Sequence, residues 1–139
     1  MAGEIVVGYD GTESSQAALD TALELAKDAG AKVVIAYGFD PTRMGGEVRD
    51  LDQQLEERGR EVTAEASGKA EAAGVEAEAV VVKEKPSAAL AELASSRDAR
   101  LIVVGGYAER PIAGAILGST PHKLLHISEV PVVVVPPPA

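Results

Sequence analysis

Apolar runs and amphipathic stretches alternate from one end of the chain to the other. Ile5 to Tyr9 is a short, β-branched run that predicts a first strand. Asp10-Gly11-Thr12 interrupts it before a stretch in which Leu19, Ala22, Leu23 and Ala26 share one helical face. Gly30 stands where a helix-ending glycine belongs. Val33 to Tyr37 predicts the second strand, followed by the turn formers Asp40-Pro41 and Gly45-Gly46. From about Glu47 to Ala73, Val48, Leu51, Leu55, Val62 and Ala66 recur at helical spacing among charges, so a long amphipathic helix is expected, weakened locally by Gly59 and Gly68. Val75 to Val82 predicts the third strand. Pro86 suits the first position of a helix through Ser96 whose buried stripe is Ala89, Leu90, Leu93 and Ala94, and Leu101 to Val104 is the fourth strand. Thr120 and Pro121 read as the N-cap and first residue of a last helix ending near Ser128. Val132 to Val135 then forms a fifth strand, which Pro136, Pro137 and Pro138 stop.

Strands alternating with helices, without the two-residue turns of hairpins, predict an α/β fold: an open, twisted, mainly parallel five-stranded sheet, Rossmann-like, with helices on both faces. The order 3-2-1-4-5 is expected, with strands one and four neighbours at the point where the order reverses. Against the roughly 150 residues of a typical domain, 139 residues make a single domain over residues 1–139 the expectation. Only four residues are aromatic, Phe39, Tyr9, Tyr37 and Tyr107, while 24 are Ala and 17 are Val, so close backbone packing should replace large aromatic plugs.

Thirteen basic against twenty-two acidic side chains give a net charge of −9, which repels phosphate backbones and anionic lipid headgroups and argues against a nucleic-acid or membrane partner. No run approaches the ~18 apolar residues of a membrane span. The chain has no cysteine, which removes disulfides, thiolate metal sites and a thiol nucleophile. Together with the lack of a basic-then-apolar leader, this makes the cytoplasm the expected location.

Ligands of such sheets bind beyond the carboxyl ends of the strands at the reversal point. Asp10 follows the first strand, where a carboxylate can accept from ribose hydroxyls or hold a divalent cation; it can equally be a turn aspartate capping the helix behind it. Gly105 and Gly106 end the fourth strand, and Gly118 and Ser119 precede a helix whose unpaired N–H groups attract phosphate. The bland alternative is a surface loop whose glycines supply positive φ. His122 and His126 are four apart and could chelate a metal, but no HExxH pattern accompanies them and they read as ordinary helix residues. Ser119 lacks a nucleophile elbow, so no catalytic residue is assigned. The carboxylates of the long helix read as a solvated face.

The segments V-G-Y-D-G-T-E-S-S, L-I-V-V-G, G-G-Y-A-E-R-P-I-A-G-A-I-L-G-S-T and V-P-V-V-V-V together resemble single-domain universal stress proteins, over Glu4 to Pro136. ATP-binding members carry a glycine, two residues, a second glycine, nine residues, then Gly-Ser or Gly-Thr. Here Gly105 and Gly118-Ser119 match, and Ala108 replaces the second glycine. Glu109 stands where the family often has arginine, Pro111 stiffens the loop and Pro121 removes one helix-start N–H, while Arg110 and Lys123 partly compensate. The resemblance implies that Tyr9 and Asp10 lie at the ligand, Asp10 holding the ribose or a magnesium-bound phosphate oxygen. It further implies that Gly38 faces adenine, that Val104 and Thr120 flank the phosphate-binding turns, and that Gly105, Ala108, Gly118 and Ser119 cradle the phosphates. The P-I-A-G-A-I-L-G-S-T-P stretch also resembles mycobacterial members that bind cyclic AMP.

The expected function is that of an adenine-nucleotide-binding regulatory module of the stress response, with ATP as ligand. The alternatives are cyclic AMP, a degenerate loop without nucleotide, or a slow ATPase using Asp10 and magnesium. A homodimer through Val132, Val133, Val134 and Val135 is expected, because an uncovered apolar edge strand demands a partner.

Overall fold

In the computed structural model the described residues are 3–40, 48–106 and 118–137, with the backbone alone for 48–50. The elements run β1 (Glu4–Gly8), α1 (Glu13–Ala29), β2 (Lys32–Gly38), α2 (Val48–Ala72), β3 (Ala77–Val82), α3 (Pro86–Ser96), β4 (Leu101–Gly105), α4 (Ser119–Ile127) and β5 (Val132–Val135). All five strands pair in parallel in the order β3-β2-β1-β4-β5. The sheet and its order therefore agree with the reading of the sequence. β1 grows toward β2 on one side and toward β4 on the other, and the crevice of the reversal lies between β1 and β4.

Successive strand side chains point to opposite faces, and two cores follow. Ile5, Val7, Val33, Ile35 and Val103 meet Ala18, Leu19, Ala22 and Ala26 of α1 and Val62, Ala66 and Ala70 of α2. Val6, Val34, Ala36, Ile102 and Val104 meet Leu90 and Ala94 of α3 and Leu124 of α4. The division of labour follows from composition: β-branched strands supply bulk, at roughly 1.5–3 kcal/mol per fully buried side chain, while helix alanines let the layers approach. Leu51 departs from the expected stripe and is 45% exposed.

α2 is unbroken through Gly59 and Gly68. A Cβ at Gly59 would lie 2.6 Å from the Tyr37 ring, so this glycine weakens helix propensity in exchange for seating an aromatic side chain against the helix. Thr63 adds a hydrogen bond from its hydroxyl to the Gly59 carbonyl at 2.8 Å. At the far end of α2, Gly74 takes φ +75° while Gly74 N–H donates to Glu71 and Val75 N–H to Ala70, a Schellman closure that delays β3 to Ala77. Gly30 closes α1 in the same left-handed conformation.

At the amino ends of the strands Arg97 binds Glu78 at 2.6 Å and Glu4 at 3.1 Å, and Lys32 binds Glu78 at 2.8 Å. These pairs tie β1, β2 and β3 to the end of α3. The Arg97 hydrogen bond, then that of Lys32, lowers the Glu78 carboxyl from 4.5 to about 2. A depressed carboxyl contributes stability above its ordinary value and loses it as the pH falls through the folded one, so the window is pH 4.5 down to 2. With the side chain 39% exposed, screening holds the contribution to roughly 1 kcal/mol. Glu78→Gln is expected to be less stable than the parent at pH 7 in urea unfolding and to converge with it toward pH 2; a gap independent of pH would contradict the ion-pair origin.

Candidate functional site

β1 and β4 end side by side, and the chain leaving each turns into the start of a helix. After β1, Asp10 Oδ1 accepts from Thr12 N–H at 3.0 Å and from the Thr12 hydroxyl at 2.7 Å, and Gly11 takes φ +88° to make the turn. Thr12 is the N-cap of α1: its Oγ1 accepts from Ser15 N–H at 3.2 Å, and its carbonyl takes the first helical bond, from Gln16 N–H. The Ser15 hydroxyl lies 3.3 Å from Asp10 N–H and accepts from it. Asp10 thus closes the turn before α1 and holds Thr12, but the helix cap itself is Thr12, not Asp10 as the turn reading had it. Both of its hydrogen bonds to Thr12 use one carboxylate oxygen, so this role leaves the ligand role open.

After β4, Gly106 N–H donates to the Val135 carbonyl at 2.8 Å, and Gly106 accepts from Gly118 N–H at 2.9 Å. Chain that leaves at Gly106 is therefore returned to the same point at Gly118. α4 starts there, with Gly118 as N-cap in extended backbone (φ −62°, ψ 161°) and His122 N–H donating to its carbonyl. This corrects the expectation that Thr120 is the N-cap and Pro121 the first helical residue. Ser119 is first and Pro121 third, a position where the missing proline N–H breaks no helical bond.

The amides of Ser119 and Thr120 have no carbonyl partner inside the helix, and Gly118 supplies no capping side chain. In α1 the corresponding free positions are Glu13 and Ser14, since the third amide is taken by Thr12. Two helix N-termini, each with two uncommitted donors and a macrodipole behind them, therefore open on the β1/β4 crevice.

Between them lies a cavity of about 310 Å³. Tyr9, Asp10, Gly38, Val104, Gly105, Gly118, Ser119 and Thr120, eight of the nine site residues expected from the sequence, line it together. Ala108, with Glu109, Arg110 and Pro111, lies outside the described residues. The sequence reading did not place Ser14, Ala36, Pro86 and Leu90 at the site, and these line the cavity too, alongside Gly8, Thr12, Ser15 and Pro121. Ala36 could have been found from its period-two relation to Gly38. Pro86 and Leu90 arrive on α3, which follows a strand two positions away from β1, so no local signal places them there.

Three glycines make the cavity possible by what they omit. At Gly38 a Cβ would lie 2.9 Å from the Glu84 carbonyl, and at Gly8 2.9 Å from a Leu90 methyl. At Gly105 it would collide with the Ser14 hydroxyl and stand 2.7 Å from the Ser14 carbonyl oxygen. The first turn of α1 is thus laid directly on the end of β4. Burial is the largest cause of the raised hydroxyl pKa values of Tyr9 and Tyr37, and Asp10 adds to both. No group of three or more potential metal-ligating side chains occurs among the described residues, so His122 and His126, in edge-on contact at 5.2 Å, have no third ligand there.

The profile of the universal stress protein family matches residues 1–136. The chain is 33% identical over 138 residues to a universal stress protein of Mycobacterium tuberculosis, covering 94% of each. Among solved structures it resembles a universal stress family protein from Burkholderia pseudomallei at 30% identity and a TM-score of 0.80, covering 98% of this chain and 96% of that one. A universal stress protein crystallised in complex with cAMP is 33% identical with a TM-score of 0.79, covering 98% of both.

Proposed function

We propose that this chain, which belongs to the universal stress protein family, binds an adenine nucleotide in the β1/β4 cavity and acts as a regulatory module through dimer or partner surfaces. The observation that carries the proposal is the convergence of the Asp10 turn and the unpaired amides of Ser119 and Thr120 on one 310 Å³ cavity. Amides aimed from a helix N-terminus favour an anion, and Gly105 and Gly118 let the backbone approach it. Gly38, Ala36, Pro86 and Leu90 offer an apolar and main-chain wall on which a purine would rest. Asp10 would meet the ribose, or a magnesium-bound nucleotide, through Oδ2, since Oδ1 serves Thr12. Nothing in this scheme asks a side chain to make or break a covalent bond.

ATP is the first ligand proposed and cyclic AMP the second. Two observations favour the second: a 33% identical structure in complex with cAMP, and Pro121, which leaves α4 only two first-turn amides, enough for one phosphate. A cytoplasmic location is part of the same proposal; among the described residues no helix is long and apolar enough to cross a membrane.

Calorimetric titration with ATP and with cyclic AMP, with and without magnesium, is expected to show saturable binding and to rank the two ligands. No heat and no thermal shift at millimolar concentration of either would overturn the proposal. Dimerisation is proposed through β5, whose four valines are each half-buried and which, among the described residues, pairs only with β4. Sedimentation at micromolar concentration should read twice the 14.3 kDa chain mass, and a monomer at every concentration would remove the dimer from the scheme.

A further inference from the structure

The hydroxyl of Ser14 is buried and has no hydrogen-bond partner among the described residues. Such an orphan is unusual, because a serine can ordinarily turn its hydroxyl to a neighbouring carbonyl or to water. Its surroundings explain how it is held. Ser14 is the second residue of α1, and Gly105 leaves vacant the space beside it that any Cβ would occupy. The hydroxyl is stowed in that niche at the wall of the β1/β4 cavity, which Ser14, Gly105 and Ser119 all line. Its neighbours Thr12 and Ser15 spend their hydroxyls on the Asp10 turn and the helix cap, so Ser14 alone of the three is uncommitted.

We propose that Ser14 is a ligand-binding residue: a turn of its side chain about χ1 brings the hydroxyl out of the Gly105 niche to donate to a phosphate oxygen, which is thereby held between the N-termini of α1 and α4. This rests on the nucleotide-binding reading above and adds a second arm to it. In that reading the phosphate meets the Ser119 and Thr120 amides alone; here the first turn of α1 faces them across the anion and contributes its own dipole. Binding would give this hydroxyl an acceptor, so a group with no partner among the described residues becomes one that strengthens binding.

The experiment compares the full chain with Ser14→Ala by titration with ATP, cyclic AMP and adenosine, and by the melting temperature without ligand. Removing a hydroxyl donor to a charged phosphate is expected to weaken ATP or cyclic AMP binding roughly tenfold or more, with adenosine no worse bound. The unliganded melting temperature should stay equal or rise, since the variant deletes an unpaired polar group. Unchanged nucleotide affinity would overturn the proposal. So would an equal loss toward adenosine, or a loss accompanied by a lower unliganded melting temperature, which would mark Ser14 as structural. If the parent protein binds none of the phosphate-bearing probes, the nucleotide reading itself fails and this inference falls with it.

Discussion

The arrangement depends on one main-chain hydrogen bond, from Gly118 N–H to the Gly106 carbonyl at 2.9 Å. Gly106 is itself anchored to β5 through its own N–H, so this bond fixes where α4 begins relative to the end of β4. Together with Leu124 of α4, buried in the second core, it directs the amides of Ser119 and Thr120. With it they face the turn after β1, because β1 is the strand next to β4. Glycine is suited to both ends of the bond. At Gly106 a Cβ would lie 2.8 Å from a Val134 methyl, and at Gly118 the backbone enters the helix with no side chain between its first amides and the cavity.

The ion-pair cluster and the proposed binding site lie at opposite ends of the same strands. The Arg97–Glu78–Lys32–Glu4 cluster ties three strands together at their amino ends, and the faces between are packed with valine, isoleucine and alanine. At the carboxyl ends the chain instead leaves donors unpaired and two hydroxyls, of Tyr9 and Ser14, without a partner among the described residues, and it replaces side chains with glycine. Those omissions weaken local packing, and they are tolerable because the rest of the sheet is satisfied. The net charge of −9 sets a further condition: the proposed anionic ligand would have to be held by local dipoles against the field of the whole molecule.

Much of this was legible in the residues. Ile5 to Val7, Val33 to Tyr37, Leu101 to Val104 and Val132 to Val135 declare themselves as strands, Gly30 declares a helix end, and the alternation of elements leads to a parallel sheet. Given that sheet, the rule of the reversal point puts Asp10 and Ser119 near one hollow. Other features were illegible because they depend on partners distant in sequence. Gly59 reads as a helix breaker until Tyr37 is seen packed on it, and Pro86 and Leu90 read as an ordinary helix until α3 is seen to border the cavity. The start of α4 misled for a local reason: Thr-Pro is a strong N-cap signal, but Pro is equally free of cost at the third position, and Gly118 caps instead. Ser14 carries no local signal, since its significance lies in the missing Cβ of Gly105, ninety-one residues later in the chain (105 − 14).

The central claim is that the first turn of α1, after the β1 turn, and the α4 N-terminus present free amides to one ligand. Amide-resolved nuclear magnetic resonance during an ATP or cyclic AMP titration tests it most directly. The largest shifts should fall on Ser119 and Thr120 together with Glu13 and Ser14, at the two helix starts that meet at the cavity and at the same ligand concentration. Shifts confined to one of these two segments, or centred on the amino ends of the strands around Glu4, Lys32 and Glu78, would contradict it.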